Sequence, residues 1–129
     1  MDAKSSMALT AIMRIIDSKD AVAVKQFLAK GELDADARSS AFVYSARKPC
    51  LDVIKLFLDA GADINSKNRD GITALMSASA NGYLEVVKFL IEKGIDVNAR
   101  DNGGMTALRF AVANENDDVA RLLKSLGAK

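Results

Sequence analysis

Side chains able to do covalent or acid–base chemistry are few in this sequence. The 129-residue chain has no histidine and one cysteine, Cys50, in the stretch Arg47-Lys48-Pro49-Cys50. A nucleophilic thiolate needs positive charge beside it and a base to take its proton. Arg47 and Lys48 meet the first need, but the chain has no imidazole for the second. Without histidine the commonest general base is also missing. A hydrolase or redox function at Cys50 is therefore the weakest reading, and a partly buried turn thiol fits the burial habit of cysteine better. No Cys/His spacing suits a metal. The loops Arg69-Asp70-Gly71 and Arg100-Asp101-Asn102-Gly103-Gly104 have glycines that would admit a phosphate. Neither has the Lys-Ser/Thr pair or the strand–helix setting of a phosphate-binding loop. The acidic–basic stripes Asp52/Lys55/Asp59 and Glu85/Lys88/Glu92 have the spacing of a solvated helix face, with little energetic value. No catalytic, cofactor or metal residue is assigned, and no enzyme is expected.

Composition narrows the partners. Lysine plus arginine number 18 against 17 aspartate plus glutamate, and residues 1–64 carry nine of each sign. Nucleic acid and membrane surfaces call for a basic excess on one face, so neither is expected as partner. Five Phe, two Tyr and no Trp leave little for a base-stacking platform. Half the residues are hydrophobic, yet no apolar run approaches the roughly 18 residues of a membrane helix. The opening stretch MDAKSSMALTAIMRIID lacks the charged, apolar and small-residue order of a signal peptide. A lone cysteine and no Asn-x-Ser/Thr acceptor suit a reducing compartment, so a cytoplasmic location is expected. The length suits one domain with its own core.

The elements come from an internal register. Thr73 and Thr106 are 106 − 73 = 33 residues apart, and so are Leu75/Leu108, Ala78/Ala111, Asn81/Asn114, Val86/Val119, Leu90/Leu123 and Gly94/Gly127. A further step of 33 back reaches Ser40, Phe42, Ser45, Val53, Phe57 and Gly61. The next step is 30, from Gly61 to Gly31 and from Phe57 to Phe27. The three lost residues fall in one joint: Gly61–Thr73 and Gly94–Thr106 each span 12, whereas Gly31–Ser40 spans 9. A fixed period of this kind marks a repeat array, and a deletion confined to a joint makes that joint a loop.

Each unit has the pattern of two short helices. In the third, Thr73 is a natural N-cap, Ala74–Asn81 is small and helix-compatible, and Gly82 can end the helix in the left-handed region. Leu84, Val87, Leu90 and Ile91 then share one face at helical spacing. Turn residues follow Gly94. Pro49 stands where the third unit has Gly82 and cannot take positive φ, so the second unit must turn differently. No single hairpin can bury its apolar side, so the core must run between units.

The stretch "DGITALMSASANGYLEVVKFLIEKGIDVNARD" resembles an ankyrin repeat, and the likeness extends over four units from Thr10 to Gly127. "GADIN" and "GIDVN" are close matches to the family pattern. "TALM", "TALR", "SAFV" and "TAIM" depart from its T-P-L-H. The resemblance implies an all-α solenoid of four helix-turn-helix repeats joined by β-hairpin-like fingers, with units at about residues 8–33, 38–66, 67–99 and 100–129. It also implies that Asp63 and Asp96 fix the hairpins. The absent His removes one tie between neighbouring units. Lys124 stands where Leu58 and Ile91 stood, so the last unit is expected to be a polar cap. Met7, Leu9, Ile12, Met13, Ile15 and Ile16 either fill the front end as a cap or pack against something preceding them.

What the family resemblance implies about function is a non-catalytic protein-binding module or adaptor, monomeric, meeting a protein partner at finger tips and the concave face. The alternative is an accessory docking domain of a longer chain. Carried over residue by residue, the tip positions are Lys67, Arg69, Asp70 and Ile72, then Arg100, Asn102 and Met105. The helix-end positions are Arg47, Lys48, Asn81 and Asn114. Met76 and Arg109 stand where the family has its His; Arg109 is kept as a contact, whereas Met76 is expected to pack. Ile72 and Met105 share one register position and form the expected anchor.

Overall fold

The computed structural model of the chain describes residues 3–129 as eight helices. These are α1 (Ala3–Asp17), α2 (Ala21–Ala29), α3 (Ala35–Ser45), α4 (Leu51–Asp59), α5 (Ala74–Asn81), α6 (Leu84–Glu92), α7 (Ala107–Ala113) and α8 (Asp117–Ser125). They pair as hairpins: α1 with α2, α3 with α4, α5 with α6 and α7 with α8. The odd-numbered helices form one row, each packed on the next. In the other row α2 packs on α4 and α6 on α8, and Lys55 of α4 lies over the Phe89 ring of α6 at 5.4 Å.

Local chemistry sets the helix ends. Thr73 Oγ1 accepts from Met76 N at 3.3 Å, and Met76 Sδ accepts from Thr73 N at 3.5 Å, closing a reciprocal cap at the start of α5. Thr106 caps α7 in the same way through Arg109 N. At the end of α6, Gly94 N donates to Ile91 O and Ile95 N to Leu90 O, with Gly94 at φ +87°. That pair of bonds is the Schellman arrangement, and it needs the left-handed residue.

In three of the four hairpins the inner turn takes positive φ, at Lys19, Gly82 and Glu115, which stand at equivalent positions. Pro49 cannot. In the second unit α3 gives way to a tighter run in which Arg47 N donates to Tyr44 O and Cys50 N to Lys48 O. The different turn expected from the proline is present.

Two helix starts differ from the register. Thr10 and Ser40 should begin helices as Thr73 does, but α1 begins at Ala3 and α3 at Ala35. Asp34 Oδ1 accepts from Ala37 N at 2.8 Å and so caps α3 six positions before Ser40. Nothing between Ala35 and Ser45 is glycine or proline, so a good cap carries the helix forward. Thr10 lies inside α1, its hydroxyl donating to Ser6 O, the ordinary back-bond of a mid-helix threonine. The nine-residue span from Gly31 to Ser40 predicts a shortened finger at the first joint, but the joint has no finger: only residues 30–34 separate α2 from α3, against residues 60–73 and 93–106 at the later joints.

The core runs through all four units. The second helices bury Val24 and Phe27, then Val53, Ile54 and Phe57, then Val86, Val87 and Leu90, then Val119, Ala120 and Leu123. In α6 the fully buried strip therefore includes Val86, while Leu84 and Ile91 are only half-buried. The first helices present small residues, Ala41, Ala74, Ala78, Ala107 and Ala111, each at most 1% exposed. Small side chains here let the row pack closely, and the branched and aromatic ones opposite fill the gap. At the end of the stack Lys124 is exposed as expected, and so is Val112, at the position where Ser79 is fully buried against the fourth unit.

This packing separates two substitutions. Leu90→Ala should cost roughly 2–5 kcal/mol, because Leu90 is fully buried between units. Glu85→Ala should change stability by less than about 0.5 kcal/mol, since Glu85 is exposed and its one ion pair, to Lys88, is 3.6 Å long. Similar denaturant midpoints for the two variants would mean the facing of α6 is wrong.

Candidate functional site

The two long joints fold alike at their tips. In the first, Asn68 Oδ1 accepts from Asp70 N and Ile72 N, and Asn68 N donates to Ile72 O at 3.0 Å. In the second, Asp101 Oδ1 accepts from Gly103 N and Met105 N, and Asp101 N donates to Met105 O at 2.9 Å. One acceptor side chain thus gathers each turn. Ile72 and Met105 follow it at the same position, both half-buried, with Ile72 packed on the core. The sides of the fingers are closed by Asp63 and Asp96, whose carboxylates accept from Asn65 N and Asn98 N, both at 2.9 Å.

Asparagine, not histidine, ties one unit to the next. Asn102 N donates to Asp70 O at 3.0 Å and Asn102 Nδ2 to Arg69 O at 2.9 Å, joining the fingers. Asn116 Nδ2 donates to Ser79 O at 2.8 Å and Ala80 O at 3.0 Å, joining the hairpins. Asn65 Oδ1 accepts from Asp96 N, and Asn98 Oδ1 accepts from Lys129 N, both bonds spanning 31 residues. Two glycines make room for this. A Cβ on Gly71 would lie 2.6 Å from Asn102 Oδ1, and one on Gly82 would lie 2.7 Å from Asn116 Oδ1. The spacing of Gly71 from Asn102 and of Gly82 from Asn116 was visible in the sequence, but not that the two would touch.

Between the odd-numbered helices and the first long finger lies an open groove of about 740 Å³. Arg47, Arg69, Asp70, Ile72 and Asn81 line it, so the structure brings five of the expected residues together. Arg109 and Arg100 are exposed and Met105 half-buried, all three off this groove. Others spend their polar groups internally. Lys67 Nζ donates to Arg100 O at 3.1 Å, and Asn102 bridges the fingers. Asn81 and Asn114 donate to Ser77 O and Phe110 O of their own helices, and Lys48 pairs with Asp17 at 3.6 Å. Met76 is 1% exposed and packs, as expected. Cys50 is half-buried at the start of α4, packed against the core.

Sequence reasoning missed the aromatic lining of the groove. Tyr44 of α3 and Phe110 of α7 both face it, as do Leu9 and Met13 of α1. Tyr44 and Phe110 fall on the 33-residue register with Ser77 midway, so the signal was present. Tyr44 OH donates to Asp17 Oδ1 at 2.7 Å, and the Arg47 guanidinium lies 5.3 Å from the ring centroid. That bond to Asp17, more than burial, pushes the phenol pKa above its ordinary value, so the ring stays neutral and donating. Among the described residues no three His, Cys, Asp or Glu side chains gather as a metal would require. Likewise, no helix there is long and apolar enough to cross a membrane.

The comparisons agree with the period and the stacked hairpins. A family model of ankyrin repeats (three copies) matches residues 42–129, and one of the single ankyrin repeat matches residues 9–69. The chain belongs to the ankyrin repeat family. Ankyrin repeats are in general protein–protein interaction modules and generally non-catalytic. No curated protein matches the chain significantly.

The polar ties can be weighed by mutation. Asn116→Ala removes two bonds to carbonyls of the third unit and should cost about 1–3 kcal/mol. Ser79→Ala should leave stability unchanged or raise it by up to about 1 kcal/mol, because Ser79 Oγ is buried with no hydrogen-bond partner among the described residues. Urea unfolding of both variants checks this. A large loss on Ser79→Ala would show that the hydroxyl has a partner, most simply a bound water.

Proposed function

We propose that this ankyrin-repeat chain is a non-catalytic module or adaptor that binds a protein partner through its two long fingers and the concave face beside them. The observation that carries this reading is the groove. Its volume of about 740 Å³ suits a bound segment, and its lining combines apolar side chains with Arg47, Arg69 and Asp70 at the edge. Arginine is enriched where proteins meet. Ile72 and Met105 repeat at the finger tips as aligned, half-buried apolar side chains that a partner would cover further. No catalytic role is assigned to the site, since the chain has no histidine to activate its one thiol, Cys50. A half-buried single thiol suits a reducing, cytoplasmic setting, and the balanced charge favours a protein over nucleic acid or a membrane surface.

Affinity capture with the intact chain, followed by quantitative binding of the captured protein, tests the proposal. Ile72→Ser combined with Met105→Ser should weaken that binding tenfold or more, since about 1.4 kcal/mol suffices. The melting temperature should move little, because neither residue is fully buried. Binding that survives the double change, or a fold lost with it, would make the finger-tip pair structural and refute this site.

A further inference from the structure

We infer that the groove takes a partner peptide carrying one large apolar side chain next to a carboxylate, the apolar group entering a recess over Ser77 and the carboxylate meeting Arg47 and Arg69. This rests on the protein-binding reading above and names the chemistry of what is bound.

The recess follows from the register. Positions 44, 77 and 110 are 33 residues apart on consecutive members of one helix row, and they hold Tyr, Ser and Phe. Helix α5 packs between α3 and α7, so a small side chain lies between two rings. The next position along the row continues the gap, with Ala80 beside Arg47. The floor is apolar, formed by buried Met76 and half-buried Ile72. The Tyr44 wall is held before any partner arrives, by its bond to Asp17 and by Arg47 over its face. A ring fixed in advance costs less to order on binding. Missing finger and missing bulk coincide here: α1 and α3 run on as helices on the side where later units have fingers, and the groove lies at that step.

Charge selects the neighbour of the apolar group. Of the charged side chains lining the groove, Arg47 and Arg69 are cationic and Asp70 alone is anionic. Among the described residues neither guanidinium is in an ion pair, whereas Lys48 nearby is already satisfied by Asp17. An exposed guanidinium beside an apolar slot is a fork for a carboxylate. Two arginines against one aspartate leave the edge one charge short of neutrality, and an acidic residue of the peptide supplies it.

The test uses the full chain and a phage-displayed random library of peptides about twelve residues long. Enriched peptides are synthesised and titrated by fluorescence anisotropy. They should share a large apolar residue adjoining Asp or Glu. Ser77→Phe, which fills the recess with a third ring, should weaken them at least tenfold. Ser77→Ala, which keeps the recess, should bind as the parent does. Arg47→Ala with Arg69→Ala should also weaken binding at least tenfold. This second variant decides the matter if Ser77→Phe does not fold. Enriched peptides without an acidic preference, or peptides indifferent to Ser77→Phe and to the arginine pair, would overturn the inference. So would an empty selection, or a fluorescent oligothymidylate bound more tightly than any peptide. Peptides lost on Met105→Ser, which lies off the groove, but untouched by the recess variants would sink the recess and leave the module reading standing. Failure of that reading is decided separately, by the captured protein.

Discussion

A nine-residue helix with three buried side chains cannot stay folded alone, because isolated helices of that length are marginal in water. Everything in this molecule answers that constraint. Each second helix is too short to stand and too apolar to be left exposed, so it must be covered by its own partner helix and by the next unit. Alanines in the odd-numbered row make close approach possible, and Phe57, Leu90 and Leu123 occupy the space so defined. Stability is therefore held between units, and no single hairpin is a folding unit of its own.

Polar bonding follows the same logic. Stacking places one unit's loop backbone against the next unit's side chains, and carbonyls covered there need donors. Asn102 and Asn116 supply them, each bonding backbone of the preceding unit, and each is admitted by a glycine that leaves room for it. Among the described residues Ser79 Oγ is the exception, a buried hydroxyl with no hydrogen-bond partner. Where Asn116 reaches across to the carbonyls of Ser79 and Ala80, the neighbouring hydroxyl is left over.

The two halves of the stack are built differently, and the groove sits where they meet. The first two units trade a finger for longer helices, while the last two have fingers with identical tip bonding. A concave face between unlike halves has walls of unlike origin: helix on one side, turn on the other. The residues that close it belong to α1, α3, α5, α7 and one finger, so no short stretch of chain contains the site.

Much of this was legible without coordinates. The 33-residue register gave the hairpins, the αL turns at Gly82 and Gly94, the exceptional turn at Pro49 and the buried faces, because local geometry and burial recur wherever the period does. The joint between the first units was misjudged for the converse reason. Copying the cap from Thr73 to Ser40 ignored Asp34, and a local cap outweighs a register that nothing else in that joint enforces. Val86 was missed since a helix packed on two sides buries more than one stripe. The candidate residues divided likewise. The sequence could place Lys67, Asn102, Asn81 and Asn114 at tips and helix ends, but only packing decided that Lys67 and Asn102 spend their donors on carbonyls of a neighbouring unit, while Asn81 and Asn114 bond back to their own helices. Tyr44, Ser77 and Phe110 could be aligned on paper as three unrelated side chains. That they form one recess depends on α5 lying between α3 and α7, and this is a fact of stacking, which periodicity permits but distances in space alone decide.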